Sequence, residues 1–298
     1  MDKLSAMKTY RRIVELGSFR AAAADRALSN AGVSKQLIEL EAELGASLIT
    51  RTTRRLATTE VGQAYFERCV QILDDLAEAE AAVTTSQRAP RGLLRVSTPM
   101  SLGLLGVMAW IPDFMRRYPE VRLDLVLNDR AIDLIEEGFD VAIRVRTVLP
   151  DSSLIAKRLG GVTRVICASP AYLEANGTPQ HPADLLQHKT LVYSLSESPT
   201  EWSLTPAAGG GAIKQRVVPA LSINNSIGLS AAAVAGMGIA LLPTFVVSDH
   251  LRSGDLVGIL PAFCCEHHSL YAMYPANRYL SPKVRAFVDF AATALADS

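Results

Sequence analysis

Cysteine is scarce: four in 298 residues, at Cys69, Cys167, Cys264 and Cys265. None forms a CxxC pair, and no histidine accompanies them at ligand spacing. That argues against a metal site and for reduced core or surface thiols. No charge-free apolar run reaches the length of a membrane span. The opening MDKLSAMKTYRR has neither the apolar segment nor the cleavage site of a secretory signal, so a cytoplasmic protein without a membrane partner is expected. Catalytic signatures are missing as well. There is no GxSxG, HExxH or P-loop, and His181, His188, His250, His267 and His268 are scattered. With no nucleophile, base and orienter in view, neither an enzyme nor a cofactor is expected. Net charge is zero. The chain therefore carries no overall field toward nucleic acid, yet residues 1–60 hold ten Lys or Arg against seven Asp or Glu, leaving twenty against twenty-three in the rest. The bias points weakly to a basic N-terminal partner surface.

What is present begins with length. A chain of 298 residues, 49% apolar and 20% charged, is long enough for two or three soluble globular domains. Its most organised short stretch is SNAGVSKQLIELEAELG, Ser29 to Gly45. Ser29 can cap a helix that Gly45 ends, and Val33, Leu37, Leu40 and Leu44 make one apolar stripe. The start of this helix carries Asn30, Ala31, Ser34, Lys35 and Gln36. Asn and Gln bond adenine bidentately and Lys reaches guanine, so the face suits base edges; a solvated helix face is the plainer alternative. Two helices precede it. Leu4, Met7, Tyr10, Ile13 and Val14 mark the first, ended by Gly17, and Ser18 caps the second, FRAAAADRAL. The three make a helix-turn-helix. After Gly45, SLITRTTRRLATTE reads as a two-stranded wing whose Arg51, Arg54 and Arg55 suit phosphates or the minor groove, or else form a solvated basic hairpin.

GSFRAAA at Gly17 to Ala23, followed by LSNAGVSKQLIELEAELGASLITRTTRRLATTEVG at Leu28 to Gly62, resembles the DNA-binding domain of LysR-type transcriptional regulators. Several motifs agree in order and spacing. The departures are Asn30 and Ala31 for the family's usual Gln-Pro, Lys35 for Arg, Arg26 for a core Leu, and Gly32 inside the helix, which costs about 1 kcal/mol relative to Ala. They leave the docking mode intact and make the operator sequence this chain's own.

From Glu60 to Arg88 there is no proline and only Gly62 near the start. Tyr65, Cys69, Ile72, Leu76, Ala79 and Val83 follow a heptad seam, widened by Phe66, Val70 and Leu73. Such a stripe needs a cover, either a second copy or the helix's own domain. The resemblance favours a homodimer, or a tetramer built from dimers, presenting its reading heads to an inverted repeat in double-stranded promoter DNA. TSQRAPRG, residues 85–92, reads as the domain boundary.

Beyond it, strands at Leu93–Ser97, Val121–Leu127 and Asp140–Arg144 alternate with helices over Ser101–Arg117 and in AIDLIEEG. TRVICAS at Thr163–Ser169 begins a second sheet, continued by LVYSL, by strands around WSL and AIKQRVVPALSI, and by GIALLP after the helix Ser226–Gly236. HSLYAMYP is a closing strand and PKVRAFVDFAATAL a closing helix. Alternation of this kind marks an α/β fold. RGLLRVSTPMSLG, DLIEEGFDVAIR, DSSLIAKRL, AAAVAGMGIALLP and PKVRAFVDF are similar to the effector domain of the same family. The expected architecture is thus α/β with an all-α, winged-helix N-terminal domain (1–59), a linker dimerisation helix (60–88) and a two-lobed, periplasmic-binding-protein-like C-terminal domain (91–298). Lobe one spans about 91–161 and 267–298 and lobe two about 162–266, with crossovers near Gly160 to Thr163 and Cys265 to His268. The resemblance implies a ligand cleft lined by Thr98, Pro99, Met100, Ser101, Asn128 and Arg144 from lobe one. Lobe two adds Ser169, Trp202, Asn224, Asn225, Ser226 and Pro243. Hydroxyls and free amides before helices suit a carboxylate, and Trp202 and Met100 an apolar or aromatic body. Alternatively Ser101 and Ser226 are plain caps, Arg144 pairs with Asp140 or Asp129, and Trp202 is core. The expected function is a sequence-specific transcriptional regulator set by a small-molecule effector and acting on RNA polymerase. The alternative is a DNA-binding regulator without an effector; a bare solute-binding module conflicts with the first sixty residues.

Overall fold

The computed structural model describes residues 2–51, 56–84, 89–130, 132–147, 154–276 and 280–295. The chain divides into two compact units, Met1–Arg88 and Ala89–Ser298.

In the first unit, α1 (Lys3–Leu16), α2 (Phe19–Asp25) and α3 (Asn30–Leu44) are each started by a side chain. Asp2, Ser18 and Ser29 accept from the amides of Ser5, Ala21 and Gly32. Left-handed Gly17 and Gly45, φ 60° and 65°, stop α1 and α3. Val33, Leu37 and Leu40 of α3 pack with Met7, Tyr10 and Ile13 of α1. A short antiparallel wing, β1 (Ile49–Arg51) with β2 (Leu56–Thr58), follows. Glu41 holds it to α3 by accepting from the amides of Leu48 at 2.7 Å and Ile49 at 3.2 Å. Helix α4 (Glu60–Thr84) then begins inside the same core, to which Cys69 and Leu73 belong and against which Tyr65 and Phe66 lie. The first half of the apolar stripe is therefore covered by its own domain, while Val61 and Ile72 face outward.

The second unit holds two five-stranded sheets. β3 (Gly92–Thr98), β4 (Val121–Leu127), β5 (Val141–Arg146), β6 (Leu154–Val162) and the late β15 (His268–Pro275) form one, in the order β4-β3-β5-β15-β6. β7 (Arg164–Ala168), β8 (Thr190–Tyr193), β11 (Pro219–Ile223), β12 (Ile239–Pro243) and β13 (Val257–Gly258) form the other, in the order β11-β8-β12-β7-β13. A three-stranded sheet joins β9 (Glu201–Pro206) to β10 (Ile213–Arg216) and β14 (Phe263–Cys265). The chain passes between lobes at Thr163 and again at Glu266 and His267. The helices are α5 (Met100–Leu105), α6 (Ile111–Arg117), α7 (Pro170–Asn176), α8 (Ser226–Val234), α9 (Thr244–Ser253) and α10 (Pro282–Leu295), with short 3-10 turns at Val107–Ala109 and Pro182–Gln187.

Two expectations need correction, and two helices are additions. The helix over Ser101–Arg117 is broken: Gly106 turns at φ −118°, a 3-10 turn follows, and Pro112 restarts α6 because its ring is accepted only in a first turn. AIDLIEEG forms no helix in its described part. Asp133 takes the amides of Ile135 and Glu136 into a turn, and left-handed Gly138 ends it. The helices α7 and α9 escaped the sequence reading, since each is short and begins at or beside a proline that reads equally as a breaker. No helix among the described residues is long and apolar enough to cross a membrane.

Candidate DNA and ligand sites

The first turns of α3 expose Asn30, Ala31 and Lys35, with Ser34 half-buried beside them and the Lys35 side chain 76% exposed. Ser29 is spent on the cap. Gln36 is half-buried and turned to α1: its Oε1 accepts from the fully buried Thr9 hydroxyl at 2.6 Å and its Nε2 donates to Ser5 at 3.4 Å. That amide braces α3 on α1. Arg51 contributes its backbone to β1, while its side chain, Arg54 and Arg55 lie outside the described residues.

In the second unit a cavity of about 510 Å³ opens between the lobes. Of the expected ligand residues, Pro99, Ser101, Asn128, Arg144, Trp202, Ser226 and Pro243 line it. Thr98, Met100, Ser169, Asn224 and Asn225 do not. Ser169 caps α7 by accepting from Tyr172, Met100 and Asn224 face outward, and Thr98 is fully buried beneath the wall. Trp202 is both wall and core, 5% exposed and packed in lobe two.

Part of the expected anion cradle at the helix starts is taken by the chain itself. Asp129 Oδ1 accepts from the Met100 amide at 3.0 Å, and its Oδ2 accepts from Asn225 Nδ2 at 3.1 Å, one carboxylate bridging the two lobes. Asn225 Oδ1 in turn accepts from the Ile227 and Gly228 amides at the start of α8. The chain's own side chains thus satisfy the Met100, Ile227 and Gly228 amides.

Positive charge sits elsewhere in the cavity. Arg144, at the end of β5, is 7% exposed, donating to the Ile143 carbonyl and the Ser97 hydroxyl, each at 2.8 Å. Burial, then neighbouring Arg146, pushes its pKa down to about 10. Among the described residues no carboxylate closes to an ion pair with it, contrary to the pairing considered with Asp140 or Asp129. Asp140 accepts instead from the Arg95 amide and pairs with Lys283. The hydroxyls of Thr98 and Ser101 are buried without a partner, an unusual cost unless something bonds them. Arg146, Asp129, Tyr193, Arg164 and His268 line the same cavity and were not anticipated, because strands far apart in the chain bring them together. The burial that raises the thiols of Cys69 and Cys265 to about 11 and of Cys167 to about 12 keeps them protonated, as unreactive thiols are. No cluster fit for a metal ion occurs among the described residues.

Comparison with known proteins agrees with this division of labour. The family described as "Bacterial regulatory helix-turn-helix protein, lysR family" matches residues 4–63, and "LysR substrate binding domain" matches residues 87–296. The chain is 36% identical to an uncharacterized HTH-type transcriptional regulator of Haemophilus influenzae, over 95% of this chain and 98% of that one. It is 38% identical to an HTH-type transcriptional regulator of Xanthomonas campestris, over 95% of this chain and 83% of that one. The solved structure of CrgA, a LysR-type transcriptional regulator from Neisseria meningitidis, superposes with a TM-score of 0.62 at 32% identity, covering 97% of this chain and 98% of that one. These relatives are named regulators of transcription, not enzymes.

Proposed function

Because the chain belongs to the LysR family of transcriptional regulators, we propose that its helix-turn-helix reads promoter DNA as part of a homodimer or a dimer of dimers, and that a small anionic effector in the cavity of residues 89–298 sets its output to RNA polymerase. The single observation carrying the effector reading is Arg144, a guanidinium buried against the cavity with no ion-paired carboxylate among the described residues. A buried charge is normally neutralised, and a ligand anion supplies what the chain does not. The exposed start of α3 supports the DNA reading: Asn30 and Lys35 are residue types that read base edges, and Ser29 and the α1 contacts fix their direction. Two copies supply the discrimination that one small reading head lacks. The effector acts through its different affinity for two lobe arrangements.

The test is footprinting of the purified protein on its own upstream region with and without candidate carboxylates, alongside thermal-shift screening. A compound that raises the melting temperature and alters the footprint supports the reading. A monomeric protein that prefers no fragment over bulk competitor overturns the DNA part. Specific DNA binding untouched by any acid overturns the effector part.

A further inference from the structure

The cavity draws charge from both lobes. Besides Arg144 and Arg146 on β5, the lobe-two strand β7 begins at Arg164 just past the first crossover, and His268 enters from the second. The Arg164 side chain is only 15% exposed. Its Nε is buried with no hydrogen-bond partner, its Nη2 reaches the Glu266 carbonyl only at 3.5 Å, and the Glu266 carboxylate stands off at 3.9 Å. Of the other cations lining the cavity, Arg130 is paired with Glu137 at 2.5 Å and Lys214 with Glu201 at 3.3 Å, while half-buried Arg146 donates to the Val145 carbonyl at 3.3 Å. Among the described residues this leaves each lobe with an under-satisfied guanidinium centre, Arg144 with Arg146 beside it in lobe one and Arg164 in lobe two. They are separate places. Arg144 stands on β5 of the first five-stranded sheet and Arg164 on β7 of the second. Apolar Leu191, Leu241 and Phe245 also line the cavity.

We infer that the effector is a dianion with an apolar spacer, one carboxylate held by Arg144 and the other by Arg164, so that it grips both lobes at once. This rests on the effector reading above and narrows it. Carboxylates match the guanidinium fork, and each buried charge-assisted contact is strong where water is excluded. A ligand touching one lobe binds open and closed arrangements almost equally and shifts nothing; one that bridges the lobes favours closure by the affinity of its second contact.

The experiment is calorimetry on the full-length protein with matched acids: adipate against hexanoate, and terephthalate against benzoate. In at least one pair the diacid is expected to bind about ten- to a hundredfold tighter than the monoacid, the worth of one buried charged contact. Arg164→Gln is expected to bring that diacid to the level of its monoacid and to leave the monoacid unchanged, whereas Arg144→Gln weakens both. Circular dichroism melting establishes that the variants fold. Should Arg164→Gln not fold, Arg164→Lys, which keeps the charge and loses the fork, is expected to narrow the gap. Equal binding within both pairs, or a gap that persists in the folded Arg164 variant, overturns the dianion. If no acid binds but the neutral adipamide does, the dianion fails while small-molecule control stands. If nothing binds, both fail.

Discussion

Lys35 and Gln36 are neighbours in α3, yet one ends in solvent and the other against α1. Lys35→Ala is expected to leave the melting temperature in place and weaken the preference for operator over bulk DNA. Gln36→Ala strands the buried Thr9 hydroxyl and is expected to cost about 1–2 kcal/mol of stability in denaturant unfolding. Arg26, where the family commonly has a core leucine, buries its Nε without a partner. Arg26→Leu is expected to stabilise the first unit by about 1–2 kcal/mol, read as a higher midpoint of denaturation. His268 gives a pH signature. Burial, then Arg164, holds its pKa down to about 4 from the ordinary 6.5, so the folded chain resists a proton that the unfolded chain accepts. Stability from this group is complete above about 6.5 and drains away as pH falls toward about 4, by about 2–3 kcal/mol in all. His268→Gln is expected to flatten that part of the profile in melts of the full-length protein between those limits. At this scale local features were legible: Ser18, Ser29, Gly17 and Gly45 act within three or four residues of themselves. The Gln36 bond to Thr9 and the Asp129 bonds to Met100 and Asn225 span 27, 29 and 96 positions, and no local pattern records them.

Elements were legible where periodicity was long and boundaries were chemical. α3, α4, α8 and α10 and the central strands follow from stripes, caps and β-branched runs. The segment after β3 did not, because Gly106 and Pro112 cut a pattern whose apolar spacing continues through them. Side-chain turns such as that at Asp133 compete with a helix on nearly equal terms, so AIDLIEEG was misread. Gly62 has its reason in packing and not in the helix. A Cβ there would stand 2.0 Å from the Leu48 carbonyl oxygen, and the Gly62 carbonyl accepts from Tyr10 at 2.8 Å. Gly62→Ala is expected to destabilise the first unit by about 3 kcal/mol, since backbone and not a pliable side chain must move. Limited proteolysis of the wing measures it.

For the whole molecule, two lobes each made of sequence-distant strands meet over a cavity whose walls could be named only by family resemblance. Seven of the twelve expected residues line it. At the helix starts the Asp129 carboxylate takes the Met100 amide and the Asn225 amide oxygen takes those of Ile227 and Gly228, while the Thr98 and Ser101 hydroxyls keep no partner. Asp129→Ala is expected to remove the bridge, loosen lobe against lobe and increase the radius of gyration in solution scattering; an unchanged profile would show that apolar contacts alone set the closure. The seating of α4 has a mechanical meaning too. Gly62, Cys69 and Leu73 root the helix in the reading head, so the two turn as one piece. Its 25 residues make a lever arm about 37 Å long, and a swing of about 5° at one end carries the other about 3 Å. That is the length of one hydrogen bond, the margin on which any polar grip of the head is kept or lost.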